Sequence, residues 1–164
     1  MERNNPLKQS HLNMKSANPL LFKLKFPSNA DYIPPIRKFV SEVLQVQHFN
    51  PKFSFRSEVI VDEICYNAVM YGSHSMEATV DLLCSVFPDR VEFQINDEGG
   101  SHEHMERLKK VIEKRDEVET DNVHSKSNKG LGLEIVRMLS AKVNLKIKKD
   151  NVTSIQVVKN REDA

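Results

Sequence analysis

The sequence has few of the residue types whose abundance would indicate a class of protein from composition alone. It has no tryptophan and only two cysteines among its 164 residues. Both cysteines, Cys65 and Cys84, lie within apolar stretches and lack the spacing of metal ligands. We therefore predict reduced core cysteines, and disfavour a disulfide framework or a zinc site. Internal repeats and low-complexity tracts are also absent.

Neither charge nor hydropathy singles out a partner. The formal net charge is +1, so it offers no general attraction to nucleic acid or to an anionic membrane. No apolar run approaches the length that spans a membrane, and MERNNPLKQS lacks the apolar segment of a signal peptide. We therefore expect a cytoplasmic protein without direct nucleic-acid or membrane binding. An apolar content of 39% fits one globular domain.

The order of elements predicts an α+β fold. Residues 1–18 are expected to form a flexible polar tail, and residues 19–164 the domain. A strand at 20–26 precedes two helices, the second capped by Ser54 and ending near Gly72. A strand hairpin (78–87 and 90–96), a charged loop over 101–129, a helix at 131–139 and a second hairpin (143–149 and 152–159) complete the chain. A two-layer arrangement satisfies this order: a mixed, mainly antiparallel sheet with helices on one face.

Glu63 and Asn67 are the first candidates for chemistry. Their i, i+4 spacing places both side chains on one face of the second helix. An amide oxygen is a hard, neutral ligand suited to Mg²⁺, and a carboxylate one turn away could accept a proton during phosphoryl transfer. The same pattern is also typical of a surface glutamate beside an asparagine bonded near a helix end.

Asp97 follows the alternating strand VEFQIN and precedes Gly99 and Gly100. A carboxylate here could accept a hydrogen bond from an exocyclic amine such as that of adenine. The glycines would allow the backbone to approach a ring. An ordinary turn after a strand explains the same residues.

Gly130-Leu131-Gly132 stands directly before an amphipathic helix. Glycines at a helix start expose backbone N–H groups, which bind phosphate, and Lys129 could add charge. The segment is neither a P-loop nor a dinucleotide fingerprint, because the Gly-Lys-Ser/Thr run and the third glycine are missing. A plain helix start with permissive glycines is the alternative.

Together, EICYNAVMYG, NDEGG and KGLGLEIV resemble the N, G1 and G2 boxes of the GHKL ATPases, which share the Bergerat ATP-binding fold. The small size and the strand–helix–helix beginning look most like the bacterial anti-sigma-factor serine/threonine kinases. The similarity covers residues 20 to 160. It implies a protein that binds ATP with Mg²⁺, sequesters a sigma factor, phosphorylates a STAS-type anti-anti-sigma protein and forms a homodimer.

The resemblance also implies a role for each matching residue. Asn67 would hold Mg²⁺ and Glu63 would be the general base. Asp97 would recognise the adenine amino group, with Gly99 against the base and Thr153 near the adenine pocket. The phosphates would be bordered by the segment Lys129, Gly130, Leu131 and Gly132, and residues 101–129 would form the ATP lid.

The chain departs from the family at the lid, where Asn128 and Lys129 occupy the place of an arginine. Tyr71 replaces the histidine before Gly72, and Ser101 replaces the second glycine of the G1 box. Two alternatives follow for the function. One is a non-catalytic partner-switch module that keeps nucleotide as a structural ligand, and the other is a detached histidine-kinase-type catalytic domain.

Overall fold

The fold is built on a five-stranded sheet with the strand order β1-β2-β3-β5-β4. In the computed structural model the described residues are 18–72, 75, 77–99, 106, 109–110, 131–147 and 153–163. Their elements are β1 (Leu20–Pro27), α1 (Ile33–Val46), α2 (Pro51–Tyr71), β2 (Thr79–Val86), β3 (Arg90–Asn96), α3 (Leu131–Leu139), β4 (Lys142–Ile147) and β5 (Thr153–Asn160), with 3-10 turns at Ala30–Tyr32 and Arg161–Asp163.

The prediction of an α+β fold is confirmed. The sequence predicts a mixed, mainly antiparallel sheet. In the described part of the chain every strand pair is antiparallel. Both hairpins and the first strand occur where the alternation predicts them. The predicted tail lies outside the described residues except for residue 18. Of the predicted lid, only Glu106, Lys109 and Lys110 are described, and all three are helical.

One face of the sheet carries the core. Alternate residues of β2 and β3 are buried, as period-two alternation requires. They pack with the buried sides of all three helices, for example with Leu44, Ile64 and Val136. Helices therefore cover this face. None of the described helices is long and apolar enough to cross a membrane.

The start of α2 differs from the prediction. Asn50 is the N-cap, and its side chain accepts a hydrogen bond of 2.7 Å from the backbone N–H of Phe53. Pro51 follows at a position where its missing N–H costs nothing. Ser54, the predicted cap, is therefore buried within the first turn.

Lys159 connects β5, α2 and α3 at the C-terminus of α3. This fully buried β5 side chain donates a hydrogen bond of 2.9 Å from Nζ to the carbonyl of Leu139, the last residue of α3. The same Nζ lies 4.9 Å from the ring centroid of Phe53 in α2. A cationic donor at a helix C-terminus is favourable, so Lys159 fixes α3 against both β5 and α2.

Candidate functional site

The first part of the site is the contact between α2 and α3. A Cβ built on Gly132 would lie 2.1 Å from Glu63 Oε2 and 3.7 Å from Asn67 Nδ2. A non-glycine residue at position 132 would thus overlap the Glu63 carboxylate. Glycine lets the N-terminus of α3 approach the pair of polar side chains on α2, so the first and third motifs meet.

The side-chain amide of Asn67 has a defined orientation. Its Nδ2 donates a hydrogen bond of 2.9 Å to the carbonyl of Glu63, one turn earlier in α2. One part of the alternative interpretation, an asparagine bonded near the helix end, is therefore observed, whereas Glu63 is only partly exposed. The bond uses one of the two N–H donors of the amide, and the same Nδ2 is the Asn67 atom that lies 3.7 Å from the Cβ position of Gly132. The amide oxygen is the atom whose chemistry suits a hard cation.

Glu63 is a carboxylate in a partly dehydrated position. Burial raises its pKa above the ordinary value of 4.5, and the neighbouring charge of Asp62 raises it further. A higher pKa makes a carboxylate a stronger base once it is ionised. Asp62 itself pairs with Arg37 of α1 through a 2.7 Å contact from Nη1 to Oδ1.

The second part of the site surrounds Asp97 at the end of β3. Its Oδ1 accepts hydrogen bonds from the hydroxyl of Thr153 and, at 2.8 Å, from the backbone N–H of Gly99. Gly99 has a φ of 87°, a left-handed conformation that favours glycine. Asp97 and Thr153 are both buried, so this carboxylate is held from two sides.

Gly72 joins the two parts. A Cβ at this position would lie 2.3 Å from the carboxyl carbon of Asp97 and 2.6 Å from the carbonyl oxygen of Ala68. Because Asp97 is buried and held by two hydrogen bonds, it cannot move aside easily. The glycine that ends α2 therefore allows Asp97 to lie against the helix that carries Glu63 and Asn67.

Asp97 is well placed to recognise a polar group. Burial raises its pKa, and the hydrogen bonds from Thr153 and Gly99 act in the opposite direction. Both of these bonds go to Oδ1, so Oδ2, on the Gly72 side, is the acceptor available to a ligand. A buried acceptor without competing water is selective for an N–H donor.

The structure brings most of the predicted residues together. Glu63, Asn67 and Gly132 form one cluster, and Asp97, Gly99 and Thr153 form the other. Lys129 and Gly130 lie outside the described residues, and Leu131 begins α3. The ion pair between Arg37 and Asp62, the residue that precedes Glu63, was not predicted from the sequence. An arginine on one predicted helix and an aspartate on the next were its only sign.

The donor set suits a cation shared with a phosphate ligand. Within the described ranges, no group of three or more His, Cys, Asp or Glu side chains could hold a metal ion by itself. A single amide oxygen beside a carboxylate fits Mg²⁺, which retains waters and takes further oxygens from phosphates. The residues present therefore fit a magnesium–nucleotide complex.

Comparison with known proteins gives the family and the fold of the chain. The family described as Histidine kinase-like ATPase domain matches residues 26–159. The serine-protein kinase RsbW of Bacillus licheniformis is 26% identical over 142 residues, which cover 85% of this chain and 86% of that protein. A chain of the SiaB–SiaC complex from Pseudomonas aeruginosa superimposes with a TM-score of 0.67 at 14% identity, covering 93% of this chain and 96% of that one. This structural likeness shows a shared fold.

Proposed function

The chain belongs to the histidine kinase-like ATPase domain family, and on this premise we propose that it is an ATP-binding anti-sigma factor with serine/threonine kinase activity. Its substrate would be a STAS-type anti-anti-sigma protein. The proposal rests mainly on the close approach of Gly132 to Glu63 and Asn67, which brings a helix N-terminus next to a carboxylate and a side-chain amide. Phosphoryl transfer needs these three features in one place.

Each residue has a part in binding. Asp97 would accept a hydrogen bond from the adenine amino group, supported by Thr153 and with Gly99 against the ring. The glycines of the segment Lys129–Gly132 would approach the phosphates, whose charge the N-terminus of α3 favours. Asn67 would hold Mg²⁺ through its amide oxygen. The cation, when bound, would neutralise charge on the phosphates.

Glu63 would supply the proton chemistry. Its carboxylate would accept the hydroxyl proton of the acceptor serine or threonine as the oxygen forms a bond to the γ-phosphorus. The bond from that phosphorus to the bridging oxygen breaks, and ADP leaves. The raised pKa of Glu63 supports the assignment, because proton acceptance then becomes more favourable. Other parts of the proposal are a cytoplasmic location, where ATP and Mg²⁺ are abundant, and a homodimer.

The likeness to a serine-protein kinase favours this activity over a nucleotide-binding module without catalysis. The test uses the full chain, radiolabelled ATP and each STAS-type protein of the source organism, produced recombinantly. We expect label on a serine or threonine of one of them. Glu63→Gln should reduce the transfer rate by about 10²- to 10⁴-fold without loss of ATP binding.

Two further variants locate the nucleotide. Asn67→Ala should abolish magnesium-dependent ATP binding, whereas Asn144→Ala, in β4, should leave it unchanged. Tight ATP binding without transfer to any candidate would favour the non-catalytic module. Acid-labile label would indicate transfer to histidine, and therefore a histidine-kinase-type domain.

A further inference from the structure

The solvent-facing side of α2 carries large apolar side chains. Phe55, Tyr66 and Met70 are 64%, 45% and 51% exposed, and Val59 is half-buried. With Glu63, these residues are spaced by four, four, three and four positions, a pattern that places them on one side of a helix. We call Phe55, Val59, Tyr66 and Met70 the α2 stripe. Glu63 lies midway along its length, at the edge that faces Gly132.

The stripe is separate from the core side of α2. That side is already formed by buried residues such as Ile60, Ile64 and Ala68, which pack towards the sheet. Helix α2 is therefore apolar on two sides. Exposed aromatic and methionine side chains in a row are enriched at protein interfaces, since they bury much area for little loss of conformational entropy.

The two carboxylates beside the stripe are partly balanced by one arginine. Glu58 and Asp62 border it on the α1 side, and Arg37 contacts both, at 3.6 Å and 2.7 Å. A protein that covers the stripe would thus meet two carboxylates that share one guanidinium, with one negative charge left over. When this surface is covered, each of the two carboxylates keeps a contact to the same cation, which lowers the cost of burying them.

We propose that the α2 stripe is the docking surface for the protein that carries the acceptor hydroxyl. The inference rests on the proposed kinase function and adds the location of its protein substrate. A hydroxyl that gives its proton to Glu63 must come within about 3 Å of the carboxylate. Val59 and Tyr66 lie about one turn on either side, or roughly 5 Å along the axis. A folded acceptor that reaches Glu63 therefore covers them.

The occupant of the stripe would be a folded protein with apolar residues next to its phosphorylated serine or threonine. The test compares a triple variant, Phe55→Ala, Tyr66→Ala and Met70→Ala, with wild type. The matched control is Leu21→Ala with Val46→Ala, two apolar residues that are 57% and 71% exposed on β1 and at the end of α1. Circular dichroism and ATP affinity should be unchanged in both.

Binding is measured by calorimetry with a non-hydrolysable ATP analogue, Mg²⁺ and each recombinant STAS-type protein. We expect the triple variant to bind its partner at least about tenfold more weakly, and the control to equal wild type. In transfer assays, kcat/KM for the acceptor should fall by a similar factor, while kcat at saturating acceptor recovers. If the triple variant folds poorly, the same measurement is made on the single variants Tyr66→Ala and Met70→Ala.

Outcomes for docking and for catalysis are distinguishable. Unchanged partner affinity in the triple variant, or no binding of any STAS-type protein by wild type, overturns the docking proposal. Partner binding that depends on the stripe without label transfer supports docking and overturns only the kinase function.

Discussion

At the scale of single residues, the function depends on where each ionisable group is buried. Glu63 and Asp97 both have raised pKa values, chiefly because of burial, and both lie in the site. Burial also raises the pKa values of Cys65 and Cys84 to about 12. These free thiols are therefore un-ionised at neutral pH and chemically inert, as predicted for core cysteines.

The raised pKa of Glu63 predicts a stability effect that depends on pH. The folded protein holds this proton more tightly than the unfolded chain, so the carboxylate lowers stability as pH rises through the interval above 4.5. Glu63→Gln should therefore raise the melting temperature at pH 7 to 8, and the gain should vanish below about pH 4. Thermal scans over this range test it, with the exposed Glu42→Gln as control. A gain of equal size at pH 4 would contradict this explanation.

At the scale of elements, the site is assembled by helix ends. The N-terminus of α3 approaches α2 because Gly132 has no side chain, and Lys159 holds the other end of α3 at Leu139. The C-terminus of α2 reaches Asp97 because residue 72 is glycine. Close contact between elements is thus achieved where side chains are smallest.

Gly132→Ala should separate activity from stability. The atom that the new Cβ meets is the end of the Glu63 side chain, which can swing away at little cost in stability. Alanine also favours helix by up to about 1 kcal/mol over glycine. Displacement of Glu63, the proposed general base, should slow transfer by about 10- to 100-fold.

A double-mutant cycle checks the cause of this effect. In a Glu63→Ala background the overlap is gone, so Gly132→Ala should stabilise more than it does in wild type. Equal changes in the free energy of unfolding in the two backgrounds would show that positions 132 and 63 do not interact.

At the scale of the whole molecule, nucleotide binding and folding are linked. The two clusters come from α2, α3, β3 and β5, which belong to one sheet and its helical layer. A ligand that contacts both clusters binds only the folded chain. It should therefore stabilise the entire domain.

The corresponding prediction concerns thermal stability. At a concentration of about 100 times its Kd, ATP with Mg²⁺ should add roughly 2.7 kcal/mol of stability. Asp97→Asn should keep the hydrogen bonds from Thr153 and Gly99 through its oxygen, but it presents an amide donor to the adenine amino group. The variant should fold normally and lose most of the ATP-dependent rise in melting temperature. Asp89→Asn, at an exposed turn, should retain it.

Much of the fold was predictable from local patterns. Alternation predicts β2 and β3, and helical spacing predicts α1 and α2, because side-chain direction follows backbone periodicity. The position of the helix cap was not predictable in this way. Asn50 and Ser54 are both good caps. In the structure Asn50 is the cap, and Phe53, whose N–H it accepts from, is buried in the core.

The sequence by itself determined the three polar motifs and the family they resemble, since these depend on residue type and spacing. Only the tertiary structure decided that Gly132 lies against Glu63 and that Gly72 lies against Asp97. It also left Phe55, Tyr66 and Met70 exposed on the helix that carries Glu63. The reason is physical: which side of a doubly apolar helix is buried depends on the sheet and on the neighbouring helices, whose positions arise from contacts distant in sequence.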